Sequence, residues 1–363
     1  SAVSSRDIGG SLSGTPTFIP RIRWVDSVAE GSPITQGPAF GYFYGSNPQT
    51  SSVDKLDFSN DTADLTHTAN STYTAFASAG TSSKDYGYWT GGWSGSAESV
   101  INRIDYSNDT GTATPKGNLS VERRYHMAVG NLSAGYYVGG YASSGGQTSV
   151  EKIDYSNDSG TSSPGAKSTL MTSGSAGAGN KSYGYYAGGF GNPVNPLGSS
   201  YIERIDYSSD TSNGVSKGDL TATKYYMAGA SNSNYAWYAG GNLGAGGGSN
   251  RISNVERIDF SNDTATASPK GNLNAARDTL GGTGSSSYGY FGGNNVSSNG
   301  STTDRIDYSN DTATATPKGN FSVSQRKGVA AVSSQENANP TPAPTIAAPV
   351  QPPFPYPQQL PAP

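Results

Sequence analysis

Cysteine is absent from the 363 residues, and histidine occurs only twice, as His67 and His126. The first absence excludes a disulfide framework and a thiolate metal site. With one histidine in each of two different repeats, a histidine-based metal centre or a Ser-His-Asp triad has little to draw on. Only 33% of the residues are hydrophobic and 14% are charged, so no single large aliphatic core can form. Any core must be divided into small, similar packets. No apolar run approaches the roughly 18 residues of a membrane span, and residues 1–10 show no basic segment followed by an apolar one. The formal charge of −4 supplies no basic stripe, which argues against nucleic acid as a partner.

What is abundant is glycine, with 49 residues, and tyrosine, with 24. Flat rings and small residues suit twisted sheets rather than helices. One phrase recurs six times: LDFSNDT, IDYSNDT, IDYSNDS, IDYSSDT, IDFSNDT and IDYSNDT. Its first aspartates are Asp57, Asp105, Asp154, Asp206, Asp259 and Asp307, so five steps average 50 residues each. A second phrase, aromatic residues ending in a glycine pair, interleaves with the first and closes at Gly92, Gly140, Gly189, Gly241 and Gly293, with a degenerate copy, GYFYG, closing at Gly45. The distance from first Asp to glycine pair is 34 or 35 residues, whereas the return distance runs from 12 to 18. Variable loops on one face of a rigid scaffold are where binding usually resides.

Each repeat reads as four short strands: a stretch such as Arg124 to Gly130, then the aromatic phrase, then a VERIDY-type strand, then TATATP at Thr312 to Pro317. SNDT forms the turn between the last two, because Asn, Asp and Ser bond their own backbone two residues on. Four strands every 50 residues predict a propeller. The offset that leads from Asp105 to Val129 leads from Asp307 to Ala331, inside GVAAVSS, so a lone first strand follows the sixth repeat. Its missing partner is GYFYG. The reading is therefore an all-β, six-bladed propeller over residues 40–335, closed by a C-terminal strand, with a non-repeat leader at 1–39 and a proline-rich tail at 336–363.

A glycine pair ending the second strand, a Tyr-Asp-type third strand and an Arg before the next first strand together resemble the kelch superfamily, over roughly Phe40 to Ser334. The Trp usual on the fourth strand is missing, and the order here is Ile-Asp-Tyr. IDYSNDTATATPKGN followed by YGYFGG is also similar to repeats in virion structural and tail-fibre proteins of phages that infect marine cyanobacteria. That resemblance implies a particle component, on a virion surface or otherwise extracellular. Kelch-form copper-radical oxidases need a Cys-linked Tyr, which this chain cannot make.

The other chemistry is sparse. Asp-x-Ser-x-Asp, as in Asp105, Ser107 and Asp109, resembles the opening of a calcium loop, but the glycine comes one place late or not at all and no bidentate Glu follows. A self-bonded turn is the expectation, with calcium as the alternative and no cofactor otherwise. The two-to-three and four-to-one connections leave a blade on the same side, which gathers Trp93, Tyr141 and Phe190 near Arg124, Lys224, Arg277 and Arg326. Aromatic planes beside polar groups suit a sugar ring or a protein partner; the bland reading is that the rings cap blade tips. Asn339 to Pro363 carries ten prolines in 25 residues, so it is either a solvated spacer or a strap that lays Phe354, Tyr356 and Leu360 on a neighbouring subunit. Trp24 in the leader is a further assembly candidate. The functional expectation is a non-enzymatic virion structural or adhesion protein, a fibre or decoration subunit, that binds itself or other virion subunits and host-surface glycans. The alternative is a free extracellular glycan-binding lectin of an aquatic microbe; neither nucleic acid binding nor membrane insertion is expected.

Overall fold

The computed structural model describes residues 40–169, 173–190, 198–244, 250–294, 300–323 and 326–333. The leader and tail, with the assembly candidates Trp24, Phe354, Tyr356 and Leu360, lie outside the described residues, as do stretches within three of the variable connections. No helix among the described residues is long and apolar enough to cross a membrane.

Six antiparallel sheets form the blades of a β-propeller, five of them four-stranded and the fourth blade's extended by a fifth strand, Asn242–Leu243. Blade 2 is typical, with strands Ala79–Ser82, Tyr86–Thr90, Val100–Asp105 and Thr114–Asn118 in spatial order. Blade 1 is built from both ends of the ring: Ala330–Val332 pairs with Phe40–Tyr44, placing Ala331 opposite Phe43 and Val332 opposite Tyr42. The closure expected from spacing is the closure observed. First strands surround the axis, and their second residues are Gly80, Ala128, Gly177, Gly229, Gly282 and Ala331. Two blades accommodate a methyl group there, but at the glycines there is no such room: a Cβ on Gly229 would come 2.2 Å from the carbonyl oxygen of Gly177.

The blade junctions explain why the repeat is so literal. In each turn phrase the first Asp is spent locally, accepting from the backbone N–H and the hydroxyl of the Ser two residues on, as Asp105 does from Ser107 at 2.8 and 2.6 Å. The carboxylates of the second Asp set (Asp61, Asp109, Asp158, Asp210, Asp263 and Asp311) reach back to the preceding blade. Asp311 takes Arg257 at 2.9 Å, Trp237 Nε1 at 2.8 Å and Lys270 at 3.7 Å. Asp61 takes Arg305, Lys318 and Tyr290 at 2.7, 3.0 and 2.9 Å, sealing blade 6 to blade 1. Burial alone would raise the Asp61 carboxyl, yet Lys318, Tyr290 and Arg305 hold it below the usual carboxylate range. The aromatic that follows the first Asp stacks on the second-strand ring of the preceding blade, as Tyr308 does on Trp237 at 3.8 Å and Phe58 on Tyr290 at 4.8 Å. Thus the spacing that resembles a calcium loop is a self-bonded turn fused to an inter-blade clamp.

Two boundaries differ from the sequence reading. The fourth strand of blade 6 is Thr316–Asn320, beginning near where the reading ended it. Proline is tolerated on this outermost strand, whose free edge needs no N–H, and the Lys-Gly that looked like a terminator is the clasp to the next blade. Lys318 binds Asp61, and Gly319 N–H donates to the Asp61 carbonyl at 2.9 Å. The first strand of blade 3 is Met127–Gly130, not Arg124 to Gly130, because Tyr125 adopts a left-handed backbone.

The clasp leaves no room for a side chain. A Cβ on Gly218 would stand 1.9 Å from the carbonyl oxygen of Ala265 in the next blade. Gly218→Ala is expected to destabilise by about 1–3 kcal/mol, the usual range for overpacking, read as a lowered urea midpoint. Gly111→Ala, with nothing within 4 Å of its Cβ position, is the matched control.

Candidate functional site

Second strands run toward one face of the ring and third strands return from it, so the two-to-three and four-to-one connections share that face. The axial mouth opens there. Just before each first strand stands one residue in the left-handed region or its glycine equivalent: Ala77, Tyr125, Gly174, Tyr226, Thr279 and Gly328, with φ between 54° and 66°. Each donates its N–H to the carbonyl of its counterpart in the neighbouring blade: Tyr125 to Ala77, Ala77 to Gly328, and so on round the axis. The six bonds, 2.6 to 2.9 Å long, form an unbroken collar.

Glycine is the unstrained choice for such a backbone, yet two positions carry tyrosine and one the β-branched Thr279. A non-glycine residue held there costs of order 1–3 kcal/mol and persists when its surroundings over-determine it. Here the collar does so. The two tyrosines build an aromatic arc. Tyr125 meets Phe76 at 6.1 Å and Tyr226 at 5.3 Å, and Phe190 meets Tyr226 and Tyr225 at 5.3 and 5.5 Å. A pocket of about 150 Å³ opens between the rings, lined by Asn47, Phe76, Tyr125, Tyr226, Thr279, Lys327 and Gly328.

Of the residues singled out from sequence, four belong to this face. The Arg124 guanidinium lies 4.1 Å from the Trp93 ring centroid, and Arg124 and Tyr141 exchange backbone hydrogen bonds of 3.0 and 2.8 Å. Tyr141 is 43% exposed. Phe190 joins the aromatic arc. The structure does not bring the other three cations to the surface: Lys224, Arg277 and Arg326 are buried in ion pairs with Glu256 at 2.5 Å, Asp304 at 3.2 Å and Asp54 at 2.9 Å. Their counterpart in blade 3 is Arg123, paired with Glu151, not Arg124. The sequence reading slipped by one residue at Arg124, and in an extended chain one residue separates the buried side from the exposed one. Those three cations are scaffold rather than ligand-binding groups.

The pattern has two exceptions. In blade 2 the cation position is Ala75, and the acid position is Asn102. In blade 4 the acid is Glu203, and the cation position is Thr172 by spacing, which lies outside the described residues. Burial raises the Glu203 carboxyl, although Ser168 donates to it at 2.7 Å and the Thr169 N–H at 3.1 Å.

Sequence reasoning missed Tyr125, Tyr226, Phe76 and Lys327. For the two tyrosines the available signal was the position two residues before each first strand, where Ala, Tyr, Gly, Tyr, Thr and Gly follow one another round the ring; Phe76 and Lys327 stand one residue earlier. Beneath the mouth, Ser78, His126 and Ser175 face Met227, Leu280 and Val329. His126 Nε2 lies 2.8 Å from Thr90 Oγ1, its buried Nδ1 has no hydrogen-bond partner among the described residues, and burial followed by the Arg123 charge pushes its pKa well down.

No protein-family model matches the chain, and no curated protein does. Solved structures are similar to it, among them one titled "Structure of YjhT", which aligns with a TM-score of 0.63 and 12% sequence identity over 80% of this chain and 98% of that chain. At that identity the likeness speaks to the fold alone, and it agrees with the propeller built above from strand pairing.

Proposed function

We propose that this protein is a non-enzymatic adhesion or structural module whose axial mouth face receives a ligand and whose opposite face is turned toward its own assembly. The observation that carries the reading is the aromatic arc built on the strained backbones of Tyr125 and Tyr226. A collar needing only backbone would be cheaper with glycine at both positions, so strain retained at a mouth points to use. Strand polarity supports the second half. The described chain enters the ring at Phe40 and leaves it at Ser333, antiparallel neighbours on the face away from the mouth. A partner held there would leave the mouth free.

The kelch-like wording of the repeats and their similarity to phage virion and tail-fibre repeats favour a particle component that meets partner subunits and host-surface glycans. The free lectin differs from it only in lacking assembly. Two measurements separate the readings. Sedimentation of the full chain is expected to give a defined oligomer, and a glycan array is expected to give signals that Trp93→Ala combined with Tyr141→Ala weakens without changing the oligomer. A monomer with array signals would favour the lectin; no array signal together with no self-association would sink the adhesion reading.

A further inference from the structure

We infer that the axial pocket is a subsite for a single pyranose ring, the terminal residue of a glycan, inserted end-on between Tyr125, Tyr226 and Phe76. This rests on the mouth being the ligand face and goes further by naming the occupant.

Three features converge on it. The first is size. Pockets for drug-sized ligands run to about 300–1,000 Å³, and the 150 Å³ between the rings suits one ring rather than a peptide segment. The second is chemistry. Aromatic faces at the mouth complement the C–H face of a sugar ring, while Asn47, Thr279 and Lys327 stand at the rim, and Lys327 has no ion pair among the described residues. An apolar peptide side chain would gain nothing from that rim. The third lies one layer deeper, in a cavity that shares Tyr125, Tyr226, Thr279 and Gly328 with the pocket. There Ser78, His126 and Ser175 oppose Met227, Leu280 and Val329. That lining offers polar and apolar walls together, which fits a molecule with hydroxyls on one edge and hydrocarbon on the other.

The strained backbone makes the test selective. At Tyr125 and Tyr226 glycine suits the observed φ better than tyrosine does, so Tyr125→Gly and Tyr226→Gly remove the rings while relieving the collar. The probes are the methyl glycosides of glucose, galactose, mannose and N-acetylglucosamine, offered at millimolar concentration to the full chain and followed by saturation-transfer NMR. At least one is expected to bind, with affinity falling tenfold or more in each glycine variant and the melting temperature falling by no more than a few degrees. Phe76→Ala should also weaken binding, and Leu132→Ala, on the opposite face, should not. No transfer from any pyranoside, or transfer unchanged in both glycine variants, would overturn the inference. If the glycan array remains positive in that case, the adhesion reading stands and only this subsite falls. If self-association is lost in the glycine variants while no pyranoside binds, the mouth takes a protein partner and the inference is overturned.

Discussion

Arg326→Ala is expected to lower stability by about 3–5 kcal/mol, because removing one member of a buried ion pair leaves the other charge uncompensated. The Arg326 side chain is fully buried; it reaches Asp54 at 2.9 Å, the Ser52 hydroxyl at 2.8 Å and the carbonyls of Gly45 and Ser52 at 3.2 Å each. Asp54 is equally buried and, among the described residues, would keep the Ser322 backbone N–H and hydroxyl, at 2.8 and 2.7 Å, with His67 at 4.0 Å. Blade 2 suggests the remedy. There the equivalent positions are Ala75 and Asn102, a neutral pair that the same architecture accommodates. Asp54→Asn added to Arg326→Ala should therefore recover most of the loss, giving a large coupling in a double-mutant cycle read by urea denaturation. If Asp54→Asn does not rescue, the arginine matters for the carbonyls it ties together rather than for its charge.

That pair also marks what a single sequence can tell. Strand count, period and closure were legible because they depend on spacing along the chain: the offset from Asp307 to Ala331 lands on the residue that pairs with Phe43. Contacts between neighbouring repeats do not appear as a period. The second Asp of the turn phrase looks like a turn residue in every copy, and only the folded ring shows it gripping a Lys of the blade before, joined by an Arg at Asp61, Asp158, Asp263 and Asp311. Yet one such contact could have been found by comparing repeats with one another. Arg326, Lys224 and Arg277 accompany Asp54, Glu256 and Asp304, and both partners become neutral together at Ala75 and Asn102, although blade 4 keeps Glu203 where spacing puts Thr172 at the cation position. Joint change is the mark of a pair. Read that way, three of the four proposed ligand cations would have been assigned to the scaffold. The aromatic arc was harder to see, because a left-handed backbone is announced by glycine, and Tyr125 and Tyr226 conceal it.

Val332→Asp is expected to open the ring, at a cost above about 4 kcal/mol for a charge placed unpaired in a core. The strand that closes the propeller has only three residues, Ala330–Val332, and holds together two ends of the fold almost 300 positions apart. Val332 is fully buried beside Tyr42, Tyr44 and Trp89. Its methyls also fill the space above two glycines of blade 2: Cβ atoms on Gly80 and Gly87 would lie 2.6 and 2.7 Å from Val332 Cγ1 and Cγ2. The same side chain thus seals blade 1 internally and docks it on blade 2. A carboxylate there would stand among aromatic and aliphatic side chains, whereas each remaining blade keeps its own sheet, so the chain should loosen at one seam before it unfolds as a whole. Small-angle scattering should show a larger radius of gyration, and limited proteolysis should cut first near the blade 1 to blade 2 junction. Val332→Ile is the control for shape, since it adds one methylene and no charge, and it should cost far less. A Val332→Asp protein that stayed as compact as the parent and melted within a degree or two of it would mean that the Asp61 clamp holds the ring shut by itself, and that the short strand merely follows.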